Sequence, residues 1–413
     1  MLTLFEVKSI LHINEKGGKF GGTEEYIASL AKLLSLRGIS SHFIYEHLYG
    51  NLPSDIASHR KIDGLGNRNG DPRLGEKVLN AVLEINPDIV YIHNIFDSCV
   101  VEKLNQAERK YLLFWYIHDH FPTCLTELRA IEDEENIVCY QSLSEECLSN
   151  IESGYCVKRH AQRSFSEQEL LSRLELLKSL ILVDAVIVVS NFMKEILVKN
   201  LPEIEDKIYV VPRQVRPSKS KIGSPNKQSS VIVFSGRITR EKGLHLLIES
   251  LAQVQIQENL ILKIAGVVEN ESYWSHCLEL IKKTEEKNSC VTIQYLGHLS
   301  YDEIDLLYTE ADIVVVPSIW GEPLGAVAAE ALRNGSAVIA SNVGGIDTWV
   351  IHEETGILVQ PNDINALSQA IKKLLLDENL RRNLVNAGSK LINSKFTAEE
   401  HLKALSLIVK EKS

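Results

Sequence analysis

The stretch ADIVVVPSIWGEPLGAVAAEALRNGSAVIASNVGG (311–345) has the pattern of one strand–helix–strand unit. The apolar run DIVVVPS (312–318) predicts a buried strand, and the segment from Leu324 to Asn334 has helical spacing. A second apolar run, SAVIAS (336–341), follows at once. Because strands joined through a helix lie parallel in one sheet, this stretch predicts an α/β fold with a parallel sheet.

The same alternation continues on both sides of this stretch. Further strands are predicted at residues 7–13, 41–45, 88–93, 111–117, 184–189, 208–211, 231–235, 260–266 and 291–297. A helix from Thr23 to Arg37, ended by Gly38, lies between the first two. Their long Val and Ile runs are typical of strands covered on both faces, so doubly wound sheets are expected.

A polar segment, RPSKSKIGSPNKQSS (216–230), separates two sets of strands and has the composition of a flexible linker. We therefore predict a Rossmann-like domain over 1–215, a linker over 216–228 and a second Rossmann-like domain over 229–395. The final segment, 396–413, is predicted to be a helix that crosses back to the first domain, although packing on the second is an alternative. In such sheets ligands bind at the carboxyl ends of the strands, so a cleft shared by the two domains is expected to hold the ligand.

Composition excludes several classes of function. The chain has 413 residues, 45% hydrophobic and 24% charged, as in an ordinary globular protein. The formal net charge is −11 and no dense run of Lys and Arg is present, so nucleic-acid binding is not expected. The most apolar stretch, 180–189, is too short to span a membrane. Without a signal-peptide pattern, the chain is expected to be cytoplasmic, with its seven cysteines reduced.

The loop NEKGGKFGGTEEY (14–26) follows the first predicted strand and opens a helix. Its glycines, including Gly21 and Gly22, would let the backbone approach a ligand, and the helix amides that follow would favour an anion. A flexible loop without a ligand is the alternative. The loop lacks the G-x-G-x-x-G spacing, and no acidic residue stands convincingly about 20 positions later, so a nicotinamide site is not supported.

The loop SGRITREKG (235–243) carries Arg237 and Lys242 after a predicted strand. Both cationic groups could converge on one dianionic group, Arg through its planar fork and Lys as a point charge. A solvated basic loop is the alternative.

Glu322 and Glu330 are eight residues apart, just over two helical turns, so we expect their carboxylates on roughly one face. Carboxylates accept hydrogen bonds from paired hydroxyls, which suits a ribose or a hexose. The amides of Leu324 and Gly325 are expected at the helix N-terminus, where the dipole favours a phosphate. Two ordinary surface glutamates are the alternative.

These motifs together resemble a known family. SGRITREKG, LGHLSYDEI, ADIVVVPS and E-P-L-G with a second Glu eight positions on are similar to the retaining nucleotide-sugar glycosyltransferases of family 4, which have the GT-B fold. The resemblance continues more loosely through GGTEEYI, HDHFP and SNFMKEI in the first half. It implies two Rossmann-like domains facing across a cleft, with the donor bound by the second.

The resemblance implies a role for each candidate in the second domain. Arg237 and Lys242 would hold the donor diphosphate, Glu330 the ribose hydroxyls and Glu322 hydroxyls of the donor sugar. Leu299 would meet the base through its backbone. Leu324 and Gly325 would present amides to the donor.

In the first domain, Gly22 would lie near the diphosphate, with Gly21 beside it. His118, at the end of the strand predicted over 111–117, corresponds to the family histidine beside the transferred sugar. A histidine at a strand end is more often structural, but the following Asp119 and the family position favour a functional role. The residues to which the resemblance assigns catalysis are Arg237, Lys242, Glu322 and His118.

Two features depart from the family or stand outside it. Where relatives carry G-G-x-P-E, this chain has GGIDT (344–348), with the acidic residue displaced by one position. Four cysteines, Cys124, Cys139, Cys147 and Cys156, fall in an insertion over about 120–165. Their spacing is too wide for the C-x2-C pairs of ordinary zinc sites, so free thiols are favoured over a metal site or a redox-sensitive lid.

The resulting hypothesis is an enzyme that transfers a hexose, glucose in the first instance, from a UDP-sugar with retention of configuration. The resemblance implies a carbohydrate or lipid-linked acceptor in cell-surface or exopolysaccharide synthesis, with peripheral association at the inner face of the cytoplasmic membrane compatible with it. No metal or other cofactor is required in this hypothesis, because Arg and Lys would neutralise the leaving diphosphate. A nucleotide-sugar epimerase and a non-catalytic nucleotide-sugar-binding protein are the alternatives.

Overall fold

The computed structural model describes residues 4, 6–18, 21–67, 71–106, 108–133, 137–158, 163–217, 229–256 and 258–413. The strands are β1 (Ser9–Ile13), β2 (Lys16–Gly18), β3 (Ser40–Tyr45), β4 (His47–Tyr49), β5 (Ile56–Lys61), β6 (Ile89–Ile92), β7 (Leu112–Ile117), β8 (Ala185–Val188), β9 (Ile208–Val210), β10 (Ser229–Ser235), β11 (Asn259–Ala265), β12 (Val291–Gly297), β13 (Ile313–Val316), β14 (Ala337–Ser341) and β15 (Ile357–Val359). The α-helices are α1 (Gly22–Ser35), α2 (Pro72–Ile85), α3 (Ser98–Gln106), α4 (Glu146–Glu152), α5 (Glu167–Ser179), α6 (Asn191–Asn200), α7 (Leu244–Leu251), α8 (Glu271–Lys287), α9 (Tyr301–Glu310), α10 (Ala326–Arg333), α11 (Ile364–Leu376), α12 (Glu378–Lys395) and α13 (Ala398–Lys412).

The first of two compact units comprises residues 1–129, 140–213 and 398–413. In its described part, seven strands form a parallel sheet in the order β5-β3-β1-β6-β7-β8-β9. The central strands β6 and β8 are buried along their whole length, because helices cover both faces of such a sheet.

The second unit comprises residues 130–139 and 214–397. Its described strands form a parallel sheet in the order β12-β11-β10-β13-β14-β15. The stretch that opened the sequence analysis supplies β13, α10 and β14, and the two strands pair directly with Ile313 opposite Ala337. Two parallel-sheet α/β units confirm the predicted fold class.

The unit boundaries depart from the sequence prediction within the first predicted domain. The insertion over 120–165 is shared, since residues 130–139 belong to the second unit and Ile137 lies in that unit's apolar core. Most of the predicted linker, residues 218–228, lies outside the described residues. The final helix, α13, belongs to the first unit, where His401 Nε2 is 3.0 Å from the Tyr26 hydroxyl and its Nδ1 is 3.0 Å from the Pro212 carbonyl oxygen.

Candidate functional site

In the second unit, the loop after β10 is held against the loop after β13. Gly243 has φ +72°, and a Cβ there would lie 1.8 Å from the carbonyl oxygen of Pro317. The amide of Ile319 donates to the carbonyl of Glu241 at 2.8 Å. Only glycine permits this approach, so Gly243 fixes where the preceding Lys242 emerges.

Lys242 lies against Glu322, which is 5% exposed. Lys242 Nζ is 2.5 Å from Glu322 Oε1, and the Ser318 hydroxyl donates to the same oxygen at 2.8 Å. The ammonium also lies 4.9 Å from the centre of the Trp320 ring. Two candidates that are 80 residues apart in sequence are thus brought together as a largely buried ion pair.

This pair holds the Glu322 carboxyl ionised. Burial alone would raise the pKa of Glu322, but the charge and hydrogen bond of Lys242, together with hydrogen bonds from Ser318 and Trp320, outweigh it and hold the pKa below its usual range. The site therefore offers an acceptor for ligand hydroxyls beside a cation suited to an anionic group.

Arg237 has other partners in this structure. Its guanidinium is 2.9 Å from Glu269 Oε2 and 3.7 Å from Glu241 Oε1. The predicted convergence of Arg237 and Lys242 on one anion is therefore not visible in the contacts of either side chain. An anion that binds Arg237 has to compete with Glu269, an exposed pairing of the kind that contributes little free energy.

The predicted helix over Leu324–Asn334 begins later than expected, at Ala326. Gly325 precedes it with φ +67°, and a Cβ there would lie 2.7 Å from Ile346 Cγ1. This left-handed residue turns the chain before the helix starts. Glu322 lies in the loop before the helix, where the sequence places it, so its eight-residue spacing from Glu330 does not correspond to two continuous helical turns.

The amides of Leu324 and Gly325 are likewise not helical amides. Leu324 is buried, and its carbonyl accepts from Trp349 Nε1 at 2.6 Å. The amides at the N-terminus of α10 belong to Ala326 and the residues after it.

Glu330 projects from α10 towards the start of α9. Its Oε1 accepts a hydrogen bond from the Tyr301 hydroxyl at 2.6 Å. Leu299 is half-buried two residues before Tyr301, and Ser300 between them caps α9 through a reciprocal bond with Glu303. Predicted base and ribose contacts, Leu299 and Glu330, are therefore connected through one ordered turn.

The loop 344–348, in which the acidic residue is displaced by one position relative to the family, contacts the backbone of Glu322. The amide of Gly345 donates to the Glu322 carbonyl at 2.8 Å, while Asp347 is exposed. The loop thus fixes the backbone of Glu322.

In the first unit, His118 follows β7 directly and is partly exposed. Its Nε2 is 2.9 Å from Nδ1 of His93, and its ring stacks on Tyr116 with centroids 4.6 Å apart. Burial among these rings, with the nearby charge of Arg213, lowers the pKa of His118 to about 3. The ring is therefore neutral at physiological pH.

The glycine-rich loop is less open than its sequence indicates. Gly17 and Gly18 belong to β2, which pairs with β4, whereas Gly21 is the N-cap of α1 and Gly22 its first residue. The Gly22 carbonyl lies 3.4 Å from an Arg213 guanidinium nitrogen. The first turn of α1 carries Glu24, 5% exposed, whose negative charge opposes an anion at this N-terminus.

Sequence reasoning missed Arg213, Ser318, Glu269 and Tyr301. Arg213 stands two residues after the predicted strand 208–211, and this was the available signal, because ligands bind at the carboxyl ends of strands. Ser318 ends the predicted strand 312–318, and nothing in the sequence marks its hydroxyl as a partner of Glu322. The partners of Arg237 and Glu330 come from segments distant in sequence.

None of the seven cysteines is in a disulfide, and among the described residues no group of three or more His, Cys, Asp or Glu side chains could hold a metal ion. Glu134 and Glu135, from the acidic part of the insertion, lie outside the described residues. Of the helices described, none is long and apolar enough to cross a membrane.

Comparisons with known proteins agree with this architecture. The family described as "Glycosyltransferase Family 4" matches residues 20–219. An uncharacterized glycosyltransferase of Methanocaldococcus jannaschii is 29% identical over 226 residues, 51% of this chain and 56% of the relative. The capsular polysaccharide biosynthesis glycosyltransferase CapM of Staphylococcus aureus is 33% identical over 170 residues, 41% of this chain and 43% of CapM. The chain thus spans about half the length of these curated relatives.

A solved structure adds the fold. The structure of Anabaena HepE in complex with UDP and glucose has a TM-score of 0.67 at 18% identity, over 98% of this chain and 100% of HepE. At this identity the likeness shows the fold alone, which is GT-B. A second family, "Glycosyl transferases group 1", matches residues 215–391 and completes the coverage of both units. The resemblance indicated by the motifs is confirmed: the chain belongs to the family 4 glycosyltransferases of the GT-B fold.

Proposed function

We propose that this protein transfers a hexose, glucose in the first instance, from a UDP-sugar to a carbohydrate or lipid-linked acceptor, with retention of configuration. The observation that carries the proposal is the buried Lys242–Glu322 pair, with Ser318 on the same carboxylate oxygen. A sugar diphosphate presents an anionic group next to hydroxyls, and this pair presents a cation next to a hydroxyl acceptor.

Each part of the donor has a candidate partner in the second unit. Lys242 would neutralise charge that develops on the leaving diphosphate, while Glu322 would accept from hydroxyls of the sugar. Glu330 would accept from the ribose hydroxyls, and the turn at Leu299 would meet the base through its backbone. Arg237 would exchange Glu269 for the diphosphate. The UDP and glucose named for Anabaena HepE support this choice of donor.

The proposed acceptor belongs to cell-surface polysaccharide synthesis. The name of CapM supports a role in cell-surface polysaccharide synthesis. Such an acceptor is made in the cytoplasm or at the inner face of its membrane, and this is the location we propose.

The decisive experiment measures release of UDP from UDP-glucose with and without candidate acceptors. Acceptor-dependent release, with the glucose recovered on the acceptor in the α configuration of the donor, supports a retaining transferase. Conversion of the donor sugar without release of UDP would indicate an epimerase. Donor binding in a thermal-shift assay without turnover on any acceptor would indicate a nucleotide-sugar-binding protein.

Glu330→Gln should raise the KM for the donor about tenfold and change kcat little. Ribose contacts are much the same in the ground state and the transition state, so their loss weakens binding in both. Initial rates at varied UDP-glucose measure the effect. Tyr301→Phe is the matched control, because it removes the hydroxyl that donates to Glu330 and leaves the carboxylate. An equal fall in kcat and kcat/KM for Glu330→Gln would contradict a ribose contact.

Transfer should survive EDTA, because the proposal assigns charge neutralisation to side chains. Activity after treatment with the chelator, followed by addition of Mg²⁺ or Mn²⁺, tests this. Complete loss of transfer that either ion restores would overturn the assignment. Partial loss accompanied by unfolding would instead indicate a structural metal.

A further inference from the structure

Three histidines of the first unit form one hydrogen-bonded chain. His12 Nδ1 is 3.1 Å from His93 Nε2, and His93 Nδ1 is 2.9 Å from His118 Nε2. His12 is fully buried and His93 is 1% exposed. Nδ1 of His12, both ring nitrogens of His93 and Nε2 of His118 are therefore engaged in these two hydrogen bonds.

The sheet explains why these rings meet. His12 lies in β1, His93 follows β6 and His118 follows β7, and these three strands are neighbours. His12 in β1 lies opposite Tyr91 in β6, and His93 is two residues after Tyr91. When the register of β6 and β7 is continued, His93 lies opposite Tyr116, and His118 is two residues after Tyr116. Because alternate residues point to the same face, the three rings lie on one face and approach the carboxyl edge of the sheet.

All three rings are neutral near pH 7. Burial lowers the pKa of His12 and of His118 to about 3 in each case, and it holds the pKa of His93 well below its usual range. A neutral imidazole has one N–H donor and one acceptor nitrogen. The middle ring must therefore donate at one nitrogen and accept at the other, so the chain has one direction.

The far end of the chain selects that direction. Among the described residues, no group pairs with the buried Nε2 of His12. If protons pointed from His118 towards His12, that nitrogen would carry a buried N–H without an acceptor. If the protons point from His12 towards His118, Nε2 of His12 is instead an acceptor nitrogen without a donor. Buried N–H groups are very rarely left unpaired, so the second direction is favoured.

We propose that His12 and His93 are positioning residues that hold His118 as the tautomer protonated at Nδ1, so that this nitrogen donates a hydrogen bond to a hydroxyl of the bound sugar. The position of the proton on the His118 ring is inferred from residues of the first unit alone. The sugar as its recipient rests on the proposed function. In this arrangement His118 Nε2 accepts from His93, and Nδ1 is left as a donor of fixed direction.

NMR of the full chain tests the tautomer without any donor or acceptor. Long-range ¹H–¹⁵N correlation of ¹⁵N-histidine-labelled protein identifies the protonated nitrogen of each ring, and the His118 signals are those lost in His118→Gln. We expect the protonated nitrogen of His118 to be Nδ1. A protonated Nε2 in the wild-type chain would overturn the proposal, whether or not any variant folds.

Two substitutions of His93 separate positioning from packing. His93→Phe keeps an apolar ring without nitrogens, and His93→Asn keeps a donor near the place of Nδ1. We expect a mixture of His118 tautomers in His93→Phe and the Nδ1 tautomer in His93→Asn. An unchanged Nδ1 tautomer in His93→Phe would show that His93 does not set it.

The same two substitutions of His93 also test the contact between His118 and the sugar. Transfer by His93→Phe should fall about tenfold in kcat with little change in KM for the donor, the size of one weakened hydrogen bond. His93→Asn should recover most of the rate. Equal rates in both variants would overturn the role in transfer. Absence of any transfer by the wild-type chain, with the predicted tautomer present, would remove the proposed function and leave the proton placement standing.

Discussion

Replacing Lys242 by methionine should lower kcat/KM for transfer roughly 10²–10³-fold, the usual loss when one group that stabilises developing charge is removed. Methionine keeps the apolar stem and removes the ammonium, which lies 2.5 Å from Glu322 Oε1. The leaving diphosphate would then lose its nearest cation in the proposed site. Initial rates of UDP release measure the effect, and wild-type kcat/KM in this variant would contradict the assignment.

The buried partner requires a control. Without Lys242, the Glu322 carboxylate keeps the hydrogen bond from the Ser318 hydroxyl but loses its cation, and an uncompensated buried charge costs about 3–5 kcal/mol of folding free energy. The double variant Lys242→Met/Glu322→Gln removes that charge. We expect it to recover thermal stability but not activity. Recovery of both would show that Lys242 acts only by neutralising Glu322.

Replacing Gly243 by alanine should destabilise the second unit by about 3 kcal/mol or more, from backbone strain together with overpacking. Its φ is +72°, and the new Cβ would lie 1.8 Å from the Pro317 carbonyl oxygen. The loop must move away, and Lys242 moves with it. Denaturant unfolding followed by a donor-binding measurement should show lower stability and weaker binding together.

Gly297→Ala is the matched control for Gly243→Ala. Gly297 has φ +73°, but a Cβ there would have no neighbour within 4 Å. This variant therefore carries the same left-handed strain without the clash, and it should lose only about 1–2 kcal/mol. Equal losses in the two variants would mean that the contact with Pro317 does not hold the loop.

The sequence was sufficient for the fold because its strands are long apolar runs. Strands such as β13 and β14 lie within one residue or two of the predicted segments, since burial on both faces leaves the pattern unambiguous. Short or exposed strands carry no such pattern. β5 is exposed along most of its length and β2 consists of three residues, and neither was predicted.

For the candidate site, the sequence predicts individual residues but not which of them are paired. Lys242 and Glu322 were assigned to different parts of a donor, yet they contact each other directly. This pairing depends on Gly243 and on Gly325, whose left-handed conformations bring one loop against another and delay the start of α10. Such approaches are set by tertiary packing, which a linear pattern does not contain.

The histidine chain illustrates the same limit. The family resemblance and the following Asp119 point to His118, whereas no motif marks His12 and His93 within their apolar segments. A periodicity of two shows which residues share a face of one strand. The register between neighbouring strands decides which rings then touch, and only the structure gives that register.

The return of α13 to the first unit has a consequence for the order of synthesis. Residues 214–397 emerge from the ribosome before α13, so the second unit can complete its sheet while the first still lacks its last helix. Until then the apolar surface that will pack against Leu402, Leu405 and Ile408 faces water. We therefore expect chaperones to bind the nascent first unit. On a ribosome stalled near residue 397, this apolar surface would be exposed to solvent.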